Sequence, residues 1–223
     1  MISMNAKLSA ILAALSVGVS SVRAAVVYDL SSGPVNSYYQ SFSEFGDQLV
    51  LAGADRVIES FSFDYFANFA QAGGLTFRIY ANDGPIVSGS RAPGTILDAR
   101  VLDISNIGGS QHVLINFPFN TANVLPNSIT YTATFSGIGN GSSNRAGLIT
   151  PGGFPSTGAS FDDAWQRTGT GAGDWALIHV VDNNGLSVVA NFKATVTAVP
   201  EPGTVALFVL GGLGLVVAAR RKN

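Results

Sequence analysis

The chain has 223 residues, of which 47% are hydrophobic and only 12% charged, with a formal net charge of -2. Soluble proteins carry roughly 25% charged residues, so this surface is poor in charge, which excludes a solvated disordered chain and a basic face for nucleic acid. With no Cys and two His, the sequence also excludes disulfides, thiol catalysis, iron–sulfur clusters, Cys-bound zinc and a three-His metal site.

At the N-terminus Lys7 precedes an uncharged apolar run from Leu8 to Val19, and Ser20-Ser21-Val22-Arg23-Ala24 follows. A charged start, an apolar stretch of about 12 residues and a small-residue exit make a secretory signal peptide. Cleavage after Ala24 leaves Val22 three positions upstream of the cut, which is acceptable; cleavage after Ala25 puts Arg23 there, which is poor. The signal is therefore assigned to residues 1–24, a working domain to 25–198 and a separate tail to 199–223. The working domain holds seven basic and thirteen acidic residues, a net of -6.

The domain alternates with period two. Ser60 to Tyr65, Leu75 to Ile79, Val113 to Phe117 and Ile129 to Phe135 each place aromatic or branched residues on one face and polar ones on the other, the pattern of half-buried strands. Trp175, Leu177 and Val181 line up around His179, and the longest alternation runs from Val188 to Ala198. Turn signals separate these runs at 72–74, 82–84, 92–94, 108–109 and 182–185. Residues 137–173, rich in Gly, Ser and Thr, read as long loops around a short strand near Gly147 to Thr150, a place for binding if the domain binds anything. Many short strands with Gly-rich turns predict an all-β fold, an antiparallel β-sandwich of eight to ten strands with jelly-roll-like topology. Phe61, Phe63, Phe77, Ile79, Ile115, Phe117, Tyr131, Phe135, Leu177 and Phe192 are the expected core.

Chemistry is thinly signalled. The nearest approach to a nucleophile elbow, Gly158-Ala159-Ser160-Phe161-Asp162, lacks the closing Gly. His112 and His179 fall in predicted strands, where a lone His is usually a surface or hydrogen-bonded residue. Asp162, Asp163 and Asp174 near Trp165 and Trp175 are the one cluster suited to glycan contact, since aromatic platforms bind sugars and paired carboxylates hydrolyse glycosides. The competing reading makes Trp175 core, Trp165 a loop plug and the aspartates turn residues. Asn82-Asp83-Gly84 and Asp182-Asn183-Asn184-Gly185 offer oxygen ligands but miss the calcium-loop spacing and read as hairpin turns. The expectation is a non-enzymatic domain with no cofactor and no metal; a carbohydrate-binding module or glycan hydrolase on the same scaffold is the alternative.

The C-terminus reads Val199-Pro200-Glu201-Pro202-Gly203-Thr204, then an uncharged run from Val205 to Ala219, then Arg220-Arg221-Lys222-Asn223. The run is about 15 residues, short for a span of ~20, though Gly203 and Thr204 extend it to a helix over about 204–219. The basic cluster holds the C-terminus in the cytoplasm, with the domain outside, the topology that an N-terminal export signal also demands. Pro200 and Pro202 fix φ and lack donors, so the segment stays extended before the helix.

A Pro-Glu-Pro, a glycine-bearing apolar helix and a terminal Arg-Arg-Lys, in that order, resemble the PEP-CTERM sorting signal of Gram-negative bacteria. The resemblance covers about the last 25 residues. It implies that Pro200, Glu201 and Pro202 are read by a membrane-embedded exosortase, that Arg220 and Arg221, with Lys222, stop transfer, and that the protein is exported by bacteria that make extracellular polysaccharide and biofilm. The expected role is structural or adhesive, at the envelope or in extracellular polymer, with polysaccharide as a partner.

Overall fold

The computed structural model describes residues 23–35, 37–69, 73–104, 111–119, 123–138, 144–171, 173–179 and 190–200. The signal segment upstream of Arg23, the turns at 108–109 and 182–185, and the tail beyond Pro200 lie outside the described residues. Among those described, the regular elements are all strands. In order these are β1 (Ala25–Asp29), β2 (Tyr38–Tyr39), β3 (Phe45–Val50), β4 (Val57–Asn68), β5 (Gly74–Ala81), β6 (Ile86–Val87), β7 (Ser90–Arg91), β8 (Ile96–Asp103), β9 (Gln111–Pro118), β10 (Ser128–Ser136), β11 (Arg145–Ile149), β12 (Ala159–Arg167), β13 (Trp175–His179) and β14 (Ala194–Val199).

Two six-stranded sheets result. One runs β1-β14-β4-β11-β2, with β9 on the other side of β4; the second runs β13-β12-β3-β10-β5-β8; β6 and β7 form a separate hairpin. The pairings are antiparallel throughout. The chain changes sheet at almost every step from β3 to β12, so each sheet is built from strands distant in sequence. Strand β4 is twelve residues long because it serves three partners: β14 pairs with its first half, β11 with its last residues and β9 with the opposite edge.

The inner faces meet through aromatic rings. Phe63 of the first sheet stacks on Phe77 of the second at 5.2 Å, and Phe61 packs against Phe77 and Tyr131 at 5.1 and 5.0 Å. Phe45, Leu49, Leu75, Ile79, Ile129 and Phe192 complete this core with no exposure. Period-two alternation is the direct cause, since every second residue of β4, β5 and β10 faces the partner sheet. Ile115 is only partly buried at the margin. Leu177 belongs elsewhere: it packs on a second cluster of Tyr80, Ala92, Trp165 and Trp175 on the outer face of the second sheet. Inside β3, a Cβ on Gly46 would run into the Tyr131 carbonyl, so only glycine lets β3 and β10 approach there.

Three sequence expectations need correcting: the described residues hold fourteen strands, where eight to ten were expected. Residues 137–173 hold the expected short strand as β11, and also a nine-residue strand, β12, where only loop was expected. The alternation from Val188 does not make one long strand, because β14 begins only at Ala194. Residues 190–193 are all buried; Asn191 bonds Ser160 Oγ and the Gly153 carbonyl, and Lys193 reaches Asp64, instead of facing solvent.

Candidate functional site

The tail is launched from the middle of a sheet. Ala194, Val196 and Ala198 of β14 are buried against the core, while Thr195 and Thr197 face outwards. The Thr197 and Ser60 hydroxyls are hydrogen-bonded at 2.6 Å, and Thr195 donates to Asp29 at 3.1 Å, which ties β14 to both neighbours. Its last paired residues are Ala198, opposite Ala25 of β1 and Ile58 of β4, and Val199, opposite Val57. Pro200 follows directly and ends the ladder, because it has no N–H to donate. Ala24 and Ala25, on either side of the expected signal cut, are exposed. Both expected processing points therefore lie at one end of one strand pair. Glu201, Pro202, Arg220, Arg221 and Lys222 lie outside the described residues.

The tryptophan and aspartate cluster does not assemble into a glycan platform. Trp165 is completely buried, and its Nε1 donates to Gln48 Oε1 at 3.0 Å. Trp175 is also buried, edge-on to Tyr80 at 5.6 Å, with the Arg167 guanidinium 5.5 Å from its ring. Neither ring offers a face to a sugar. Trp165 is not a loop plug either, since it sits within β12. Asp163 pairs with His179 on the neighbouring strand. Asp174 closes the turn between β12 and β13, taking the Gly171 N–H on its carboxylate and the Thr168 N–H on its carbonyl. The side chain of Asp162 lies outside the described residues. His112 is held by Asp64 at 3.0 Å. The Asn82-Asp83-Gly84 segment is a turn: Asp83 accepts from the Thr95 N–H and hydroxyl, both at 2.7 Å, which pull its pKa down.

Residues 198–222 match the family model of the PEP-CTERM protein-sorting motif. The chain carries a PEP-CTERM sorting signal. The match begins at Ala198, the residue of β14 paired with Ala25, so the signal overlaps the final rungs of the sandwich. It marks an exported protein that an exosortase, a membrane-associated enzyme, sorts. No curated protein and no solved structure matches the chain.

Two buried carboxylates of this chain, Glu44 and Asp47, escape a reading of the sequence. Glu44 lies on the outer face of the second sheet, where Tyr80 and Thr132 hydroxyls donate to its Oε1 at 2.7 Å, and Arg78 and Arg167 meet its Oε2 at 3.1 and 3.2 Å. Burial alone would raise its pKa; the donors and the two guanidiniums outweigh burial and hold it below the usual range. Asp47 is fully buried between the sheets, accepting from Ser160 Oγ at 2.8 Å and the Phe192 N–H at 3.1 Å. Here burial outweighs the donors and raises the pKa well above its ordinary value. The buried Tyr28 and Tyr131 hydroxyls are pushed up as well, by burial first and by the nearby Asp47 charge second.

A raised folded value means that the folded state holds the proton more tightly. The contribution of Asp47 is therefore complete below its unfolded value near 3.9 and is lost as pH rises towards the folded one, at about 1.4 kcal/mol per pH unit crossed. Replacing Asp47 with Asn keeps both hydrogen bonds, because its amide donates to Ser160 Oγ and its carbonyl accepts from Phe192. The expected result is a domain about 1–3 kcal/mol more stable than wild type at pH 7, with the advantage shrinking towards pH 4. Urea midpoints of both proteins at the two pH values check it; equal shifts at both would show that Asp47 does not titrate.

Proposed function

We propose that this is a non-enzymatic surface or matrix protein whose β-sandwich is displayed outside the cell and whose tail is read and processed by an exosortase. Residues 1–24 export the chain, and the apolar run of about 204–219 holds it in the membrane with Arg220, Arg221 and Lys222 in the cytoplasm until the tail is cut. The sandwich then works as a structural or adhesive unit in the envelope or biofilm polymer, with extracellular polysaccharide as the partner its low charge suits. The observation that carries this reading is the sorting motif over residues 198–222, joined to the central strand β14. Burial of Trp165 and Trp175 and the separate engagements of Asp163 and Asp174 support a structural reading over a glycan hydrolase.

The test is the intact mass of the protein from its native cells, measured fraction by fraction, for wild type and for the triple variant Pro200→Ala, Glu201→Ala, Pro202→Ala. Wild type is expected to begin near Ala25 and to lack Val205 to Asn223. The triple variant is expected to be exported yet keep the tail, with processed species reduced at least tenfold. A wild-type mass that retains Val205 to Asn223 in every fraction would replace sorting with a permanent membrane anchor. Normal processing of the triple variant would remove the motif reading.

A further inference from the structure

The sorting signal has no linker. Val199 is still paired with Val57, and the next residue is the first proline of the motif. Between that rung and the apolar run stand only residues 200–204, a tether of about 17 Å when fully extended. While the tail is uncut, that end of the sandwich is held against the membrane.

Strand β14 is an interior strand, flanked by β1 and β4, and among the described residues β1 has no other strand partner. The first strand exported therefore waits for the last. The sheet gains β1 and β14 together, and only once residues 194–199 are outside, immediately ahead of the apolar run. The Leu30 N–H bonds the Ala194 carbonyl in the same seam, while other bonds, from the Ala52 N–H to the Val27 carbonyl and from Asp29 to Thr157, hold β1 from outside it. Losing residues 194–199 again would expose Ala194, Val196 and Ala198 and take from β1 its strand partner, leaving it the bonds of Val27 to Ala52 and of Asp29 to Ser156 and Thr157.

We propose that the processing enzyme acts on the closed sandwich, with β14 locked between β1 and β4, and that the last rung at Val199 sets the upstream limit of the cut. This rests on the sorting reading above and adds to it the form of the substrate. The bond broken is a peptide bond on the C-terminal side of Val199; its acyl carbon passes to water or to a hydroxyl or amine acceptor, and the leaving nitrogen takes the acceptor's proton. Both mature ends then sit side by side, and whatever is joined to the new C-terminus is joined at that end. The loop of residues 51–56 shares it, bonded to the 119–127 connection through Leu51 N–H to Asn127 O and Arg56 to Asn127 Oδ1. The far end, with a cleft of about 100 Å³ between Phe42, Phe135 and Ile138, faces away from the attachment.

A disulfide clamp tests this in the full chain, which has no Cys of its own. Val26 and Thr197 are directly opposed on the outer face, at the ~4.5–5.5 Å Cα spacing of antiparallel partners, which suits a disulfide. The variant Val26→Cys, Thr197→Cys is expressed in the native host, its crosslink scored by thiol alkylation and mass, and its processing compared with and without a membrane-permeant thiol reductant. The clamped protein is expected to form the crosslink, to be processed within twofold of the wild-type rate, and to yield a C-terminus at or beyond Val199. The proposal is overturned if the clamped chain stays uncut and the reductant restores the cut, if the exported chain never forms the crosslink, or if the mature C-terminus lies upstream of Val199. The triple alanine variant, run in parallel, separates the two claims: left uncut there, the sorting reading stands whatever the clamped chain does; processed normally there, the sorting reading fails by itself.

Discussion

Val196→Asp is expected to abolish the folded sandwich. Val196 is fully buried in β14, paired with Phe61 on one side and Tyr28 on the other. A carboxylate there is desolvated in the aromatic core, and a buried charge costs several kcal/mol on top of the lost apolar contact. Against a total stability of about 5–15 kcal/mol, a loss of about 5 kcal/mol or more opens the first sheet, and with it both β1 and β14. The outward neighbour gives the contrast: Thr197→Val removes the hydroxyl contacts with Ser60 and Glu59, worth about 1 kcal/mol. The measurement is protease resistance and the urea midpoint of the exported chain. Wild-type resistance in Val196→Asp would mean that β14 is dispensable to the fold, and the closed form could then not govern processing.

What the sequence reveals depends on how evenly a strand divides its two faces. Strands β4, β5 and β10 have a core face and an outer face, so Phe61, Phe63, Phe77, Ile79 and Tyr131 stand out by alternation alone. Strand β3 does not, because it is buried on both faces from Phe45 to Leu49: Leu49 meets the core while Glu44 and Gln48 sit under the Tyr80, Trp165 and Trp175 cluster. Strand β12 is hidden by a register shift between Ser160 and Ala164, which breaks period two inside a Gly-rich stretch. The sorting tail is legible because it is a linear signal, read in order along the chain. The tryptophan and aspartate cluster is not, since spacing along the chain leaves open which face a side chain takes. Trp165 and Trp175 share an outer face as expected of a platform, but the hairpin β6–β7 and its flanks bring Ala92 over them and turn the platform into a second small core. Glu44 had no signal at all: its partners Tyr80, Arg78, Thr132 and Arg167 come from three other strands.

That assembly around Glu44 makes Glu44→Gln the second large expected effect. The amide keeps the size and its oxygen accepts from Tyr80 and Thr132, but it puts an NH2 in place of the charged oxygen that Arg78 and Arg167 share. Truncating one partner of a buried ion pair costs about 3–5 kcal/mol; both guanidiniums are a quarter or so exposed (29% and 24%), so solvent screens part of the loss and about 2–3 kcal/mol is expected. The pH dependence runs opposite to that of Asp47. Because the folded pKa of Glu44 is depressed, its contribution is present above the unfolded value near 4.3 and is lost as pH falls through the folded one. Wild type and Glu44→Gln should therefore differ most at pH 6–7 and converge below about pH 4. Asp29 and Asp83 add acid sensitivity of the same sign. Both are held low by hydrogen bonds, those to Asp29 outweighing the opposing effect of burial. A double cycle with Arg167→Met separates the charge from the packing: if Glu44 acts through its pair, its loss costs less once Arg167 is gone, and if the two losses simply add, the carboxylate holds the outer face by its hydrogen bonds to Tyr80 and Thr132 alone.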